Sequence, residues 1–145
     1  MHGTLDFGIK NKVAIVAGGG AFSKDIGNGR AASILLAEAG AKVIVADRNE
    51  ELANHTVQMI KDRGGEAIGV GGDLTKSDQC KKVVDLALNS WGRLDILDNN
   101  IGIASKLSVV DELEEDWDKI MKVNLKPMFL MSKYAIPAMI NSGDG

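Results

Sequence analysis

Residues 12–31 read KVAIVAGGGAFSKDIGNGRA, and this stretch decides the fold class. Its apolar run VAIVA, at Val13–Ala17, has the length of a buried strand and leads directly into a glycine-rich turn. The segment after the turn, RAASILLAEAG, has a helical composition and ends at Gly40, a common helix stop. A strand, a glycine-rich turn and a helix in this order predict a phosphate-binding unit, because the N–H groups of the turn and the positive end of the helix dipole meet there.

The rest of the chain repeats this strand-then-helix rhythm. Three further pairs are predicted, with strands over Lys42–Asp47, 66–73 and 93–100 and helices over 50–65, 77–92 and 112–140. The strands are continuously apolar, which is typical of a parallel sheet covered on both faces. Four such units in series predict a Rossmann-like, doubly wound α/β fold with three layers, α/β/α, in a single domain over residues 1–145.

Composition narrows the function classes. The net charge of −3, with both signs mixed along the chain, leaves no basic footprint, so a nucleic-acid partner is not expected. No apolar stretch approaches about 20 residues, so a membrane partner is not expected either. The single cysteine cannot form an internal disulfide, and no Cys/His cluster has metal-ligand spacing. These features predict a metal-free protein in a reducing, cytoplasmic setting.

Asp47 ends the second predicted strand and follows Gly27 by about 20 residues, the spacing at which dinucleotide-binding folds place a carboxylate for the ribose hydroxyls. The same carboxylate would repel a 2′-phosphate. Two roles are open for the guanidinium of Arg48 beside it. It pairs with a 2′-phosphate, which favours NADP, or it lies over the adenine. The two residues together favour NAD as the cofactor and leave NADP open.

Together these segments resemble the short-chain dehydrogenase/reductase family over nearly the whole chain. KVAIVAGGG with IGNGRA resembles that family's strand and turn, GGDLT its adenine-contacting segment, GRLDILDNNIG its GxLDxLVNNAG segment, and WDKIMKVNLKPMFLMSKYAIPAM the helix with a structural and catalytic asparagine, here Asn124. The resemblance implies strand order 3-2-1-4, a nicotinamide dinucleotide cofactor and alcohol/ketone interconversion by hydride transfer. It also implies cofactor contacts at Gly18, Gly20, Ile26, Gly27, Asp47, Arg48, Asp73, Leu74, Asn99, Asn100 and Gly102.

The glycine turn departs from the family pattern. Ala17 stands where the family has a threonine whose hydroxyl ties down the turn, and the insertion AFSKD lengthens the turn between Gly20 and Ile26. Asp25 occupies roughly the place of the family's middle glycine, where a carboxylate would repel the pyrophosphate. We expect Asp25 instead to be the N-cap of a helix that begins at Ile26.

The fourth predicted strand ends in LDNNIG. Asn99 and Asn100 are expected to tie the central strands together and to line the cofactor cleft, and Gly102 to let the cofactor approach the backbone. Asp98 puts a charge where burial is expected and therefore needs a partner. Ile101 replaces the alanine that is usual in the family and is expected to narrow the cleft.

The last helix carries two further predictions. Pro127 has no N–H to bond the carbonyl of Val123, so a break near Asn124 is expected. At 100° per residue, one face of this helix is shared by a set of residues that we expect to face the core or the cofactor. This set is Trp117, Met121, Asn124, Met128 and Met131.

Ser132, Lys133 and Tyr134 have the identities of the family's catalytic residues but not their spacing. The family's chemistry needs a lysine four residues after the tyrosine, and Ala138 occupies that position. We therefore expect these three residues to be surface or packing residues. The family's serine and YxxxK segment are then not found in the 145 residues, and we expect a domain that is incomplete at its C-terminus and inactive alone.

Two functions remain open. In the first, the chain is the cofactor-binding part of an NAD(P)-dependent oxidoreductase that acts on a small carbonyl or alcohol substrate. In the second, it is a non-catalytic dinucleotide-binding or oligomerisation module derived from that family. The apolar segment MFLMSKYAIPAMI and a fourth strand without a further neighbour favour a homo-oligomer in either case.

Overall fold

The computed structural model describes residues 8–22, 25–143 and 145. Within these ranges strands and helices alternate strictly. The elements are β1 (Val13–Ala17), α1 (Asn28–Glu38), β2 (Lys42–Asp47), α2 (Glu50–Lys61), β3 (Glu66–Gly71), α3 (Ser77–Trp91), β4 (Ile96–Asn99) and α4 (Glu114–Ser142). The predicted elements are confirmed, with boundaries that differ by at most four residues.

The four strands form one parallel sheet in the order β3-β2-β1-β4, as predicted. β1 is central: Ala14 lies opposite Val43 of β2 on one side and Ile96 of β4 on the other. All five residues of β1 are buried, as expected for a strand covered on both faces. The direction of chain progression across the sheet reverses between β1 and β4, and in open α/β sheets a crevice forms outside the carboxyl ends of the strands at that point.

Two apolar clusters cover the two faces of the sheet. α1 and α2 pack on the face that includes Val16 and Val45. α3 and α4 pack on the opposite face, which includes Ile15 and Ile44. Helices on both sides of a parallel sheet make the three-layer α/β/α architecture of the prediction.

A buried carboxylate fixes the approach to β4. The side chain of Asp95 is 1% exposed, and its Oδ2 accepts hydrogen bonds from the N–H of Val13 at 2.8 Å and from Nε of Arg93 at 2.8 Å. Its Oδ1 lies 2.5 Å from Nη2 of Arg93 and 3.5 Å from Nζ of Lys12. Burial by itself would raise the pKa of Asp95, but the bonds from Arg93 and Val13 and the two positive charges outweigh it, so the pKa lies below its ordinary value. The ionised Asp95 therefore ties β1 to the start of β4.

Helix α4 is continuous from Glu114 to Ser142, so the predicted break near Asn124 is wrong. Pro127 has no N–H for the carbonyl of Val123, as expected, but the helix continues past this missing bond and past a second internal proline, Pro137. Pro127 is itself buried, and the turn after it packs against the sheet through Leu130. The packing of Pro127 and of the turn that follows it supports the helix beyond the missing bond.

The buried face of α4 also differs from the prediction. It consists of Pro127, Leu130, Met131, Ala135 and Ala138. Only Met131 of the predicted set is buried. Trp117, Met121 and Met128 are 55%, 40% and 46% exposed. The helix has a second apolar stripe beside the buried one, and helical periodicity does not tell which of two stripes meets the sheet. The exposed stripe, called here the apolar face of α4, comprises Trp117, Met121, Leu125, Phe129, Ile136 and Ile140.

Candidate cofactor-binding site

A cleft of about 1450 Å³ opens at the carboxyl edge of the sheet, where the chain order reverses between β1 and β4. Its walls come from the glycine turn, the first turn of α1, the segments that follow β2, β3 and β4, and part of α4. The predicted site residues that line it are Gly18, Gly27, Asp47, Arg48, Asp73, Leu74, Asn100 and Gly102. The four predicted residues outside this lining are Gly20, Ile26, Asn99 and Asn124.

Two glycines set how closely the turn, β4 and α1 approach one another. Gly18 has a φ of +89°, and a Cβ there would lie 2.9 Å from the carbonyl oxygen of Asn100. The N–H groups of Gly18 and Gly19 both donate to the carbonyl of Ala46, at 2.7 and 3.1 Å. A Cβ on Gly29 would overlap the carbonyl oxygen of Gly18 and lie 2.9 Å from its carbonyl carbon. Only glycine at position 29 lets α1 rest directly on the turn.

Helix α1 begins at Asn28, two residues later than predicted, and its N-cap is Gly27. The prediction that Asp25 is the N-cap is therefore wrong, and no side chain caps this helix. The carbonyl of Asp25 instead accepts a hydrogen bond from the Arg30 guanidinium, and Ile26 is exposed. The first N–H groups of a helix have no partner within it, so an uncapped N-terminus at the cleft offers donors and a positive dipole end to an anion.

Asp47 links the glycine turn to α2. Its Oδ2 accepts a hydrogen bond from the N–H of Gly20 at 2.9 Å, and its Oδ1 accepts one from the N–H of Asn49 at 2.9 Å. Each carboxylate oxygen has a second lone pair, so Asp47 retains acceptor capacity toward the cleft that it lines. A Cβ on Gly20 would lie 2.7 Å from Cγ of Asp47. Gly20 is thus required for the approach of this carboxylate.

Asp73 and Leu74 form the wall that follows β3. Oδ1 of Asp73 accepts hydrogen bonds from Oγ1 of Thr75 at 2.7 Å and from the Thr75 N–H at 3.0 Å. These bonds, with a smaller effect from the positive charge of Arg48, hold the pKa of Asp73 below its ordinary value. Leu74 is buried, and its carbonyl accepts the Cys80 thiol at 3.1 Å. Burial raises the pKa of Cys80 to about 11, so this cysteine is a passive thiol.

The two asparagines that end β4 have different surroundings. The N–H of Asn100 donates to the carbonyl of Ala17 at 2.9 Å, which extends the β1–β4 pairing to the cleft. Oδ1 of Asn99 is buried and has no hydrogen-bond partner among the residues that the structure describes. Ala17 lies opposite Asn99 in the sheet and offers this amide only a methyl group.

The segment around β4 also contains the two other departures from the family pattern. Ile101 lines the cleft and packs against the core under α3 and α4. A Cβ on Gly102 would meet no atom within 4 Å, because open cleft lies beside it. Asp98 is half-buried and forms no hydrogen bond or ion pair with any residue in the described ranges. The partner that its charge was expected to need is not present among them.

Asn124 binds the backbone of one residue twice. Its Oδ1 accepts from the N–H of Ile103 at 2.8 Å, and its Nδ2 donates to the carbonyl of Ile103 at 2.9 Å. This pair fixes the segment after β4 onto α4 and so holds that wall of the cleft. Val123 and Pro127, on the same helix, line the cleft directly. In this structure Asn124 is a positioning residue, and its catalytic role stays a prediction.

Ser132, Lys133 and Tyr134 lie outside the cleft lining. The hydroxyl of Tyr134 is 2.6 Å from Oγ of Ser77 on α3, and its ring packs against the core under α3 and α4. Nζ of Lys133 lies 5.7 Å from the centroid of that ring. These contacts agree with the prediction that the three residues have packing and surface roles.

The described part of the chain contains no group of three or more His, Cys, Asp or Glu side chains that could hold a metal ion. In the same ranges, no helix has both the length and the apolar character needed to cross a membrane.

Comparison with known proteins identifies the family of this chain. A family model for short chain dehydrogenases matches residues 12–145. The chain belongs to the short-chain dehydrogenase/reductase family. It is 41% identical over 136 residues to an oxidoreductase of Thermotoga maritima without a characterised activity, covering 94% of this chain and 51% of the relative. It is 33% identical over 136 residues to a cyclohexanol dehydrogenase of an Acinetobacter species, covering 93% of this chain and 52% of that relative.

A solved structure shares the fold of this short-chain dehydrogenase/reductase. The crystal structure of a Burkholderia xenovorans protein assigned to the same family matches with a TM-score of 0.87 and 36% identity, covering 93% of this chain and 52% of the other. The chain therefore spans about half the length of the relatives that it matches. The family implies a nicotinamide dinucleotide cofactor, NAD or NADP.

Several residues that shape the site of this short-chain dehydrogenase/reductase were missed by the sequence predictions. Gly29 had a signal, since it is the last glycine before the helical run RAASILLAEAG, but the insertion shifted the predicted motif onto Ile26 and Gly27. Asn28 was missed for the same reason, although it lines the cleft. Arg30 and Thr56 gave no signal, because an arginine or a threonine in a helix pattern is ordinarily read as a surface residue.

Proposed function

We propose that this chain is the cofactor-binding part of an NAD-dependent oxidoreductase that interconverts an alcohol and a ketone. The observation that carries the proposal is the cleft at the β1–β4 switch point. It brings an uncapped helix N-terminus, a close-packed glycine turn and the carboxylates of Asp47 and Asp73 to one place. The cyclohexanol dehydrogenase among the relatives supports this reaction type.

The residues present fit a dinucleotide. The N-terminus of α1 suits a pyrophosphate, because its first N–H groups have no capping side chain and neither Gly18 nor Gly29 has a side chain in the way. Asp47 suits the ribose hydroxyls, and Asp73 an amino group of the adenine end. NAD, when bound, supplies the hydride acceptor. The cleft is large enough for NAD, since its volume exceeds the roughly 300–1,000 Å³ that is typical of small-ligand sites.

The end of the cleft near α4 suits a small, largely apolar substrate. The lining there consists of the apolar residues Ile103, Ala104, Val123 and Pro127 together with the charged Lys119 of α4. Asn124 holds this wall through its two bonds to Ile103. The 145 residues contain one tyrosine, Tyr134, which lies away from the cleft. We therefore propose that this chain binds cofactor and does not by itself catalyse turnover.

The choice of NAD over NADP is testable through Asp47. We expect the chain to bind NADH more tightly than NADPH, because the carboxylate repels a 2′-phosphate. Asp47→Asn keeps an oxygen for the Gly20 N–H but removes the charge. It should reduce the NADH/NADPH affinity ratio about tenfold, equivalent to about 1.4 kcal/mol. Both Kd values are measured by NADH and NADPH fluorescence titration.

Asp78→Asn is the matched control, because it removes a carboxylate of α3 that does not line the cleft. Its affinity ratio should equal that of the unmodified chain. An unmodified chain that binds NADPH more tightly than NADH would contradict the choice of NAD. A chain that binds neither nucleotide would contradict the proposed function.

Self-association is a second property that we propose, and it also suits the alternative of a non-catalytic association module. The observation in its favour is the apolar face of α4, whose side chains are 40–72% exposed.

Phe129→Glu should convert a dimer to a monomer in light scattering, because it places a charge in the middle of this face. Lys126→Glu, on the same helix but off the apolar face, should leave the dimer intact. A monomeric unmodified chain would contradict this part of the proposal.

A further inference from the structure

The most deeply buried charged group in the described ranges is Arg30 of α1. The residue is 0% exposed and is the largest of the fully buried side chains. A buried guanidinium is strongly destabilising unless its donors are satisfied. The hydrogen-bond partners of Arg30 therefore show how the cost of burying its charge is offset.

The guanidinium of Arg30 binds both ends of the insertion in the glycine turn. One terminal nitrogen, Nη2, donates to the carbonyl of Gly20, and the other, Nη1, donates to the carbonyl of Asp25. Nε donates to Oγ1 of Thr56 on α2 at 2.9 Å, and the Thr56 hydroxyl donates to the carbonyl of Gly19 at 2.8 Å. One guanidinium and one hydroxyl thus hold three carbonyl groups of the turn.

This network acts on the side of the turn away from the cleft. Arg30 and Thr56 do not line the cleft, whereas Gly18, Gly27 and Asn28 do. A carbonyl that is bonded to a buried guanidinium points into the interior and not toward a bound anion. Gly20 is held from both sides, since its N–H donates to Asp47 while its carbonyl accepts from Arg30.

On the basis of the proposed function, we propose that Arg30 is a positioning residue for the pyrophosphate of the cofactor. It holds the carbonyl oxygens of Gly20 and Asp25 away from the cleft, so that these oxygens do not repel an anion bound at the N-terminus of α1. It also places a positive charge directly behind the turn. The arrangement explains how Gly20 and Asp25, the described residues on either side of residues 23–24, are held in place although the turn is lengthened.

Burial lowers the pKa of Arg30, while the nearby charges of Asp25 and Asp47 act in the opposite direction. Because arginine remains protonated in proteins at neutral pH, the positive charge persists behind the turn. A lysine would retain the charge, but its single ammonium group lacks the planar fork that reaches two carbonyls and a hydroxyl together. The Arg30→Lys variant therefore separates the effect of the positive charge from the effect of the hydrogen-bonding geometry.

The test compares ligands with and without phosphate groups. ADP and adenosine are titrated into the 145-residue chain and into Arg30→Met and Arg30→Lys by calorimetry. We expect Arg30→Met to weaken the affinity for ADP at least tenfold and the affinity for adenosine less than twofold. The affinity of Arg30→Lys for ADP should lie between those of the unmodified chain and Arg30→Met. Ser33→Ala is the control, because it removes a buried hydroxyl of the same helix that bonds only the Gly29 carbonyl within α1. It should leave the ratio of ADP to adenosine affinity unchanged.

A folded Arg30→Met chain with the unmodified ADP/adenosine ratio would overturn the assignment and leave Arg30 a purely structural residue. If Arg30→Met does not fold, Thr56→Val replaces it in the test. Valine has nearly the same shape as threonine but lacks the hydroxyl that connects Arg30 to Gly19. The ADP affinity of Thr56→Val should fall several-fold with adenosine unaffected, and an unchanged ratio would overturn the assignment. Absence of ADP and NADH binding in the unmodified chain would instead refute the proposed function, and the positioning role with it.

Discussion

Gly29→Ala is expected to destabilise the fold and to abolish tight cofactor binding together. The added Cβ would overlap the carbonyl oxygen of Gly18 and lie 3.2 Å from Cα of Gly19, so α1 must move off the glycine turn. Overpacking against backbone costs about 1–3 kcal/mol, and the better helix propensity of alanine returns about 1 kcal/mol at most. We expect a net loss of roughly 2 kcal/mol in urea unfolding and at least a tenfold rise in the Kd for NADH.

Gly27→Ala is the matched control, since it is the same substitution two residues earlier. A Cβ there would lie 3.0 Å from the methyl group of Ala21, a contact that a small shift relieves. Its stability should fall by about 1 kcal/mol or less, the ordinary cost of alanine at an N-cap. Equal stability losses in the two variants would show that the contact between Gly29 and Gly18 does not determine the packing of α1.

Asp95→Asn should produce the largest stability loss that does not touch the cleft. The substitution leaves Arg93 and Lys12 without the carboxylate that pairs them in the structure. Removing one partner of a buried ion pair costs about 3–5 kcal/mol, and we expect about 2–3 kcal/mol here because both cations reach solvent. The measurement is the free energy of unfolding in urea at pH 7. Asp85→Asn, which breaks the exposed Lys81–Asp85 pair, should cost less than about 1 kcal/mol.

The pH dependence of this loss follows from the direction of the pKa shift. The pKa of Asp95 is lowered in the folded protein from an ordinary value of 3.8, so its ionised form stabilises the fold above that value. The stabilisation is lost as the pH falls through the lower, folded-state pKa. The difference between the unmodified chain and Asp95→Asn should therefore be constant from pH 7 to about 5 and shrink below about pH 4. A difference that does not change down to pH 3 would contradict the assignment of this stability to the ionised carboxylate.

The sheet was predictable because its signals are local. Four apolar runs of strand length, each followed by a helical pattern, define a parallel doubly wound sheet, and the family resemblance supplies the strand order. Asp47 was predictable for the same reason, since it ends a strand run, whereas Asp73 was predicted from the family resemblance of the segment GGDLT. These residues line the cleft as their positions in the sequence indicated.

The predictions that were wrong concern features that depend on long-range packing. The insertion displaced the start of α1, so Asp25 was read as its N-cap although its carbonyl binds Arg30. Two apolar stripes on α4 left the choice of buried face to the tertiary structure. Arg30 itself was invisible, because its three acceptors come from residues 5, 10 and 26 positions away along the chain.

The central claim is that this chain of the short-chain dehydrogenase/reductase family binds a dinucleotide in the β1–β4 cleft. Amide chemical-shift changes in NMR spectra, recorded as NADH is added to the 145-residue chain, test it most directly. We predict the largest changes at Gly18, Gly27, Asn28 and Asn100, all of which line the cleft. Unchanged spectra at saturating NADH, or changes confined to the apolar face of α4, would contradict the claim.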